Sequence, residues 1–433
     1  MNRWLFCTAI GFLLNLANAE GSRRIGKLTS QTWEEHLSYG ENSGNYLASD
    51  QFPDLSAVGV LKSESGMMGT ASLIAPNLIV TAAHVVKNSL GDPDPENENW
   101  HFIITPDFED ASPSESFQVS QFVIHPAWTI RQEQGINNGN GDGDRLGVDL
   151  CLAFLSENVE GIDPIGLPDR QKVSKGQRVT IAGYGILVDG EDGIFNSNNS
   201  RRLAGENILD RVVDEISISS LTSEYWGGVL AVDFDSPEKD ANFLGPDYSS
   251  IESMAPYLEA GSSDPTPLPL EVSTAVGDSG GPVMSRLNGR WCVNGVVSYG
   301  TNHSMYGDVT VFTRLASHQD WIEQYLPNWN EAKILSGGHW KELAWFGTFL
   351  PFEQGWCYHS DLGWLFNSNQ KGSTLWIWQS QIGWLWTASD IFPFLYSHEK
   401  SGWLLLDRNK SDFQEWIVFD YGIGSWEIIS NTN

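Results

Sequence analysis

Residues 274 to 284 read TAVGDSGGPVM, a short stretch in which three glycines surround one serine. Gly277 precedes Ser279 by two positions, and Gly280 and Gly281 follow it directly. Glycine is the default residue where the backbone takes a positive φ, so the stretch is predicted to form a tight turn. A serine nucleophile needs the same kind of turn, because backbone N–H groups must be available beside its hydroxyl. The rest of the chain decides between these two interpretations.

Two other parts of the chain carry the partners that a catalytic serine requires. A serine hydroxyl is a weak nucleophile unless a base takes its proton and a carboxylate orients that base. His84 ends the apolar run LIVTAAH, and Asp149 opens the apolar run DLCLAFL. A plain glycine-rich turn predicts neither partner, so the sequence favours Ser279 as nucleophile, His84 as general base and Asp149 as orienting carboxylate. Asp144 is a competing carboxylate, but it does not open an apolar run.

The stretch from about residue 50 to residue 330 alternates short β-rich runs with clusters of Gly, Asn, Asp and Pro. Many short strands with few helical periods predict an all-β barrel or sandwich. One closing helix is predicted in LASHQDWIEQYL, residues 315 to 326, where apolar residues recur at helical spacing.

Two polar insertions, residues 131–147 and 187–265, interrupt this β-rich region. In the first insertion, Asn138, Asn140, Asp142 and Gly143 match part of a calcium-binding loop. The twelfth position of that loop would be Asp149, which the catalytic hypothesis uses, and no helix pair flanks the run. We therefore favour a surface loop over a calcium site.

The order His84, Asp149, Ser279 resembles that of the chymotrypsin/trypsin family, and the likeness covers roughly residues 50 to 327. The segments TASLIAPNLIVTAAH, HPAW, GVVSYG and TVFTRL resemble family segments in the same order. The resemblance implies two six-stranded Greek-key β-barrels with a C-terminal helix. It also implies a serine endopeptidase without cofactor or metal, whose oxyanion hole is formed by the N–H groups of Gly277 and Ser279.

The same resemblance implies where a substrate binds. Ser298 and Gly300 belong to the SYG strand that pairs with a bound peptide, and Ser273 lies at the base of the pocket for the side chain before the cleaved bond. Because Ser273 carries no charge, a preference for Lys or Arg is expected to be absent. Gly300 leaves one wall open and Thr310 narrows the other, so small or medium uncharged side chains are predicted.

The sequence leaves two alternatives for how the enzyme would be activated. In the family, a newly cut N-terminal amine pairs with the aspartate before the serine, here Asp278. Cleavage after Arg24 by an activating protease would make Ile25 that terminus, but Ile25 lies farther upstream than the family pattern expects. Either Ile25 reaches Asp278 through a longer arm, or another group meets Asp278.

The N-terminal residues predict export. Arg3, an apolar run from Trp4 to Leu16 and the small-residue pattern Ala17-Asn18-Ala19 are typical of a signal peptide over residues 1–19. Residues 20–50 then form an N-terminal extension or pro-segment, and residues 51–330 form the peptidase domain. The mature protein is predicted to be secreted, whether extracellular, periplasmic or on the outer cell surface.

Charge and cysteine content restrict the partners. The formal net charge of −30 disfavours nucleic acid and fits a protein or peptide substrate. Cys151, Cys292 and Cys357 remain after the signal peptide, an odd number, and the first two lie in apolar runs. Buried free thiols are therefore preferred over a disulfide scaffold.

The composition changes after a predicted linker at residues 331–339. Eleven of the 19 tryptophans lie between Trp340 and Trp426, and WCYHSDLGWLF from Trp356 aligns with WIWQSQIGWLW from Trp376. A degenerate third copy begins at Phe394. Residues 340–433 are therefore predicted to be a β-rich repeat module of short hairpins, with core packing preferred over glycan or cell-surface contact as the role of the tryptophans. The module resembles Trp-rich C-terminal repeats on exported proteins of some Gram-negative bacteria, which suggests a bacterial member of the family.

Two alternatives to a peptidase remain open at this stage. One is a non-catalytic binding or surface protein with the same fold, and the other is an esterase with the same three residues. The complete set of three side chains disfavours the first, and the SYG strand disfavours the second.

Overall fold

The computed structural model describes residues 26–27, 32–87, 94–133, 142–168, 173–185, 188–191, 193–194, 200–217, 226–301, 304–326, 332–335, 340–352, 355–371 and 374–430. The predicted signal peptide, Ile25, and Asn138 and Asn140 of the candidate calcium loop lie outside these residues. Within the described ranges, no helix is both long enough and apolar enough to cross a membrane. Secondary structure there is mostly strand, in agreement with the all-β prediction.

The first half of the region predicted to be the peptidase domain is a closed six-stranded antiparallel barrel. Its strands, in chain order, are β2 (Val58–Ser63), β3 (Met68–Ala75), β4 (Leu78–Thr81), β5 (Trp100–Ile103), β6 (Ser116–Ile124) and β7 (Cys151–Leu155). β4 and β7 are neighbours, and Thr81 pairs with Cys151 at their shared end. His84 follows β4 in the one-turn helix α2 (Ala83–Val86), and Asp149 precedes β7. The barrel therefore places these two residues at the same end of adjacent strands.

The second half forms a seven-stranded sheet. Along the sheet the strands are β11 (Leu203–Ile208), β8 (Arg178–Gly183), β15 (Pro282–Leu287), β16 (Arg290–Gly300), β17 (Val309–Arg314), β13 (Trp226–Asp233) and β12 (Arg211–Ser217). Ser279 lies in the turn just before β15. The sheet has one more strand than the predicted second barrel, and its closure into a barrel stays a prediction.

A small third sheet connects the N-terminal extension to this half. Its order is β10 (Gly193–Ile194), β9 (Val188–Asp189), β1 (Gly26–Lys27) and β14 (Val272–Ser273). Gly26 pairs with Ser273 in antiparallel register and with Val188 in parallel register. The start of the extension therefore lies beside the predicted base of the specificity pocket.

The extension also contains the helix α1 (Trp33–Gly40), which the sequence did not predict. The imidazole Nδ1 of His36 lies 2.9 Å from the carbonyl oxygen of Ala204, and the Tyr39 hydroxyl lies 2.6 Å from Thr180 Oγ1. Both side chains are fully buried. Residues 33–40 are thus part of the folded domain.

The remaining helices are short. α3 spans Pro126–Glu133, α4 spans Gln319–Ile322, and 3-10 turns cover Gly44–Tyr46, Pro95–Asn97, Pro113–Glu115, Gly143–Leu146, Tyr248–Ser250 and Leu315–His318. The predicted closing helix thus begins as a 3-10 turn and continues as one α-helical turn. Trp321 packs edge-on against His125 with ring centroids 4.8 Å apart, which anchors α4 to the domain.

The Trp-rich region is an eleven-stranded antiparallel sheet in which each strand pairs with the next along the chain. The strands are β18 (Lys333–Ile334), β19 (Lys341–Leu343), β20 (Gly347–Pro351), β21 (Trp356–His359), β22 (Gly363–Lys371), β23 (Thr374–Gln379), β24 (Gly383–Ala388), β25 (Phe394–Ser397), β26 (Gly402–Leu406), β27 (Glu415–Asp420) and β28 (Ser425–Ser430). The aligned repeats form the hairpins β21–β22 and β23–β24. The sheet begins at Lys333, inside the stretch predicted to be a linker.

The prediction that the tryptophans of this sheet form its core is wrong for most of them. Trp416 is fully buried, and the partly buried Trp345 packs against the core. The core is mainly aliphatic and contains residues such as Leu365, Leu375, Ile377 and Leu385. The opposite face carries tryptophans that keep between 37% and 52% of their surface exposed, namely Trp340, Trp356, Trp364, Trp376, Trp403 and Trp426. Rings from different repeats still pack on this face. The ring centroids of Trp356 and Trp378, for example, lie 6.2 Å apart in an edge-on arrangement. Packing between repeats therefore occurs on an outer aromatic face.

Candidate active site

The turn that carries Ser279 depends on glycine for two separate reasons. Gly277 and Gly280 have φ values of 103° and 78°, a region that side chains other than glycine rarely occupy. Space is also lacking at Gly280, where an added Cβ would lie 2.0 Å from Thr81 Oγ1 and 2.4 Å from the Thr70 carbonyl oxygen. The turn therefore packs directly on the first barrel, which brings Ser279 to the junction of the two halves.

The structure brings together the three residues predicted to be catalytic. His84 Nε2 lies 2.7 Å from Ser279 Oγ, and His84 Nδ1 lies 2.6 Å from Asp149 Oδ2. The backbone N–H of His84 donates to Asp149 Oδ1 at 3.0 Å, which fixes the carboxylate along the imidazole edge. Asp149 is fully buried, and the side chain of His84 is 18% exposed. The hydrogen-bond order is the one that transfers a proton from Ser279 to His84.

The electrostatics of the site favour a protonated imidazole. Burial by itself lowers the pKa of His84, but the charge and hydrogen bond of Asp149, together with the charge of Asp144, raise it to about 9. The carboxylates thus offset the cost of placing a cation in a partly buried position.

His125 and His101 lie away from this site, as expected for structural residues. His125 is buried and packs edge-on against His318 with ring centroids 4.6 Å apart, and burial followed by the charge of His318 lowers the pKa of His125. His101 Nδ1 lies 3.2 Å from Ser116 Oγ on the neighbouring strand. His303 lies outside the described residues.

Backbone donors are available beside the nucleophile. Within the described residues, neither the N–H of Gly277 nor that of Ser279 donates a hydrogen bond. The intervening Asp278 is fully buried, and its carboxylate accepts the N–H groups of Gly185 at 2.7 Å and Ala275 at 2.8 Å. Asp278 therefore anchors the turn and leaves its two flanking donors for another acceptor.

The predicted pocket residues meet at a polar cluster that contains an unexpected carboxylate. Ser273 Oγ donates to Asp308 Oδ2 at 2.8 Å and lies 3.3 Å from Thr310 Oγ1. A Cβ added to Gly300 would lie 3.1 Å from Asp308 Oδ2, so this carboxylate also borders the pocket wall. A carboxylate that the sequence analysis did not consider therefore lies beside Ser273. The available signal was position, because Asp308 lies directly before β17, two residues before Thr310.

Asp308 is held in place by several donors. Its carboxylate accepts the N–H and the hydroxyl of Thr301 at 2.7 and 3.3 Å and the N–H of Ser304 at 3.1 Å. The residue is 1% exposed. These hydrogen bonds and its burial fix the Asp308 side chain beside Ser273.

The side chain of Ser298 makes a contact that the sequence analysis did not predict. Its hydroxyl lies 2.6 Å from Asp149 Oδ2, so the side chain joins the group formed by His84, Asp149 and Ser279. Its backbone belongs to β16, which continues to Gly300, whereas β15 begins at Pro282 opposite Val296. Within the described residues, Ser298–Gly300 therefore has a strand partner only on the β17 side. The other edge has the geometry that an extended peptide uses to add a strand.

One group of side chains in the described part of the chain could reach a single metal ion, namely His84, Asp144 and Asp149. These groups already make hydrogen bonds with one another, Ser279, Trp128 and Ser298. We assign no metal to them. The three thiols are free and buried, which confirms the prediction for Cys151 and Cys292.

Comparison with known proteins agrees with this geometry. The family model described as Trypsin matches residues 50–208 and 266–322. This match places the chain in the trypsin-like serine protease family. The match omits residues 209–265, which all lie in the second polar insertion, and it ends before the Trp-rich sheet.

Two relatives are similar to this chain at low sequence identity. The chain is 24% identical over 299 residues to CLIP domain-containing serine protease B10 of Anopheles gambiae, a match that covers 65% of this chain and 68% of that protein. It is 22% identical over 262 residues to Transmembrane protease serine 7 of Mus musculus, which covers 60% of this chain and 25% of that protein. These relatives do not bear on the suggested bacterial origin.

Proposed function

We propose that the protein is a secreted serine endopeptidase that cleaves peptide bonds through an acyl-enzyme intermediate. The contact of 2.7 Å between His84 Nε2 and Ser279 Oγ is the observation that carries this proposal. A base at that distance is within reach of the proton that it must remove. Secretion is supported by the signal-peptide pattern of residues 1–19.

In the first half of the reaction, Ser279 Oγ attacks the carbonyl carbon while His84 Nε2 takes the hydroxyl proton. Asp149 holds the Nδ1–H of the ring and stabilises the imidazolium. The carbonyl oxygen becomes negative and accepts the N–H groups of Gly277 and Ser279, and each such donor contributes about 3 kcal/mol to the transition state. His84 then returns the proton to the leaving amine as the C–N bond breaks.

In the second half, a water molecule replaces the amine. His84 takes a proton from this water as its oxygen attacks the acyl carbon, and the same two N–H groups stabilise the second oxyanion. Collapse of the intermediate breaks the bond to Ser279 Oγ, which recovers its proton from His84. The carboxylic acid product leaves, and no cofactor is consumed.

Two hypotheses for specificity follow from the pocket. The uncharged Ser273 and the narrowing Thr310 favour small or medium uncharged side chains, as the sequence predicts. Asp308, which accepts the Ser273 hydroxyl at 2.8 Å, favours a side chain that carries hydrogen-bond donors and positive charge. We favour the second hypothesis, because a buried carboxylate at the pocket base offsets the cost of burying a Lys or Arg head group.

We also propose that an activating protease cuts after Arg24. The pairing of Gly26 with Ser273 supports this, because it brings the residue after Ile25 to a strand that ends five residues before Asp278. An Arg24→Gln variant would then stay uncleaved and inactive, while N-terminal sequencing of the active parent would begin at Ile25. An active parent with a different N-terminus would exclude this site.

For the Trp-rich sheet we propose contact with a cell surface or glycan. Its exposed aromatic face supports such a role, since tryptophan rings offer large apolar surfaces with a polar N–H.

A serine-directed fluorophosphonate probe, followed by digestion of a peptide library, tests the main proposal. The mature protein should be labelled and should cleave peptides, whereas Ser279→Ala should do neither. Labelling without peptide cleavage would favour an esterase. Absence of labelling after N-terminal processing would favour a non-catalytic binding protein of the same fold.

A further inference from the structure

Asp144 places a second carboxylate beside the pair formed by His84 and Asp149. One nitrogen or oxygen atom from each of these three residues lies within 4.8 Å of the corresponding atoms of the other two. In the sequence analysis, Asp144 was an alternative to Asp149 as the carboxylate that orients His84. The structure gives that contact to Asp149 and leaves Asp144 as a neighbour of both.

The carboxylate of Asp144 is fixed in this position by the helix α3 and the turn that carries it. The indole N–H of Trp128 donates to Asp144 Oδ1 at 2.6 Å, and Gln132 Nε2 donates to the same atom at 3.3 Å. Trp128 is 1% exposed, and a Cβ added to Gly143 would lie 2.8 Å from its ring. Gly143, the residue before Asp144, packs so closely on this indole that it has no room for a side chain.

The backbone of Asp144 is tied to Asp149 through Ser298. Its carbonyl oxygen lies 3.0 Å from Ser298 Oγ, and the same hydroxyl lies 2.6 Å from Asp149 Oδ2. One serine hydroxyl thus bridges the two acidic residues. The position of Asp144 relative to His84 is set by contacts from α3, β16 and its own turn.

The charged groups around His84 and Asp144 come from three segments of the chain: helix α2, the segment before β7, and the turn that carries Asp144 and Arg145. Asp149 and Asp144 both raise the pKa of His84 against the effect of burial. Burial and the charge of Asp149 raise the pKa of Asp144 to about 6, while His84, the Trp128 hydrogen bond and Arg145 lower it. Asp144 is therefore ionised above about pH 6 and carries a second negative charge toward the imidazole.

We propose that Asp144 is a positioning residue that stabilises the protonated form of His84 when Ser279 gives up its proton. This inference rests on the peptidase function proposed above. Asp144 acts through His84, and its own carboxylate accepts hydrogen bonds from Trp128 and Gln132. Its charge has two effects, since it makes the resting imidazole harder to deprotonate and makes the imidazolium of the transition state more stable.

The isosteric variant Asp144→Asn tests this idea, because its amide oxygen can still accept the Trp128 N–H. We expect the acid limb of the kcat/KM profile to move down by about one pH unit and kcat on the alkaline plateau to fall about tenfold, with KM unchanged. Asp142→Asn is the matched control, because it removes the same charge from the same segment where the carboxylate pairs with Arg131 at 2.5 Å. The control should leave the acid limb where it is.

A second measurement does not depend on activity. In the Ser279→Ala protein, the NMR titration of the His84 ring should show its own inflection and a second one near pH 6 from Asp144, and Asp144→Asn should abolish the second and lower the first. If these changes occur but no substrate is cleaved, the proposed function fails while the inference about His84 stands. A titration with a single inflection, or equal changes in the Asp144 and Asp142 variants, overturns the inference.

Discussion

The hydroxyl of Ser298 lies 2.6 Å from Asp149 Oδ2, so strand β16 of the second sheet supplies a hydrogen bond to a carboxylate of the first barrel. Asp149 is also held by the backbone N–H of His84 at 3.0 Å. The orienting carboxylate is therefore fixed by both halves of the fold, and the geometry of the base depends on how the halves pack together.

Ser298→Ala is expected to lower kcat about tenfold and to leave KM unchanged, because a hydrogen bond to a charged group contributes about 1.5 kcal/mol. Steady-state kinetics at saturating and limiting peptide would measure both constants. Ser285→Ala removes a buried hydroxyl from the same sheet, where it accepts Asn294 Nδ2 at 2.7 Å, and controls for lost packing. A raised KM with unchanged kcat would instead support the substrate contact predicted from the sequence.

Gly280→Ala is expected to destabilise the fold by several times the cost of the same change at Gly161. The two glycines have φ values of 78° and 79°, so an alanine at either position costs about 1 kcal/mol in backbone strain. Only Gly280 also lacks space, since nothing lies within 4 Å of a Cβ at Gly161. Chemical denaturation should separate the two variants, and fluorophosphonate labelling should be lost only at Gly280. Equal losses of stability would show that the turn does not pack on the first barrel as described.

Asp308→Asn tests the charge at the pocket base. We expect kcat/KM for peptides with Lys or Arg before the cleaved bond to fall about 100-fold, while peptides with uncharged residues there change little. Asp264→Asn, at an exposed position, serves as the charge control. If the parent already prefers uncharged residues and the variant keeps that preference, the prediction based on Ser273 is the correct one.

The second polar insertion, residues 187–265, carries buried carboxyl groups that should make the stability of the fold depend on pH. Burial and the charges of Asp233 and Glu271 raise the pKa of Asp235 to about 9, and Asp235 Oδ1 has no hydrogen-bond partner within the described residues. The folded state therefore binds more protons than the unfolded state between about pH 4 and pH 9, so stability falls as the pH rises through this range. Asp235→Asn removes this group. The unfolding free energy of the variant should therefore fall less steeply with pH than that of the parent, with a slope smaller by about 1 kcal/mol per pH unit in this range. Thermal unfolding from about pH 5 to about pH 9 measures this, and a parent that gains stability toward the alkaline end would contradict it.

The two kinds of tryptophan in the C-terminal sheet should respond differently to truncation. Trp416 is fully buried and its indole N–H donates to the Leu362 carbonyl oxygen at 3.0 Å, so Trp416→Ala should cost about 3–5 kcal/mol. Trp376 is 37% exposed on the outer face, so Trp376→Ala should change the unfolding free energy much less. Binding to polysaccharide or to whole cells should instead fall with Trp376→Ala. Similar losses of stability in both variants would show that the outer tryptophans mainly serve packing.

Residues that depend on local context were predictable from the sequence. His84, Asp149 and Ser279 each follow or precede a recognisable apolar run or glycine turn, and the structure brings the three side chains within hydrogen-bonding distance. The mostly β secondary structure and the free thiols followed from short apolar runs and an odd cysteine count. Each of these inferences uses either the residues next to one another in the chain or a count of residue types.

Tertiary structure alone decided features that depend on which segments become neighbours. Asp308 reaches Ser273 across 35 positions, and Gly26 pairs with the same serine, because strands distant in sequence lie side by side in the sheets. The outward direction of the tryptophans was equally hidden. Both faces of those strands are apolar, so alternation separates two sets of side chains without indicating which set is buried.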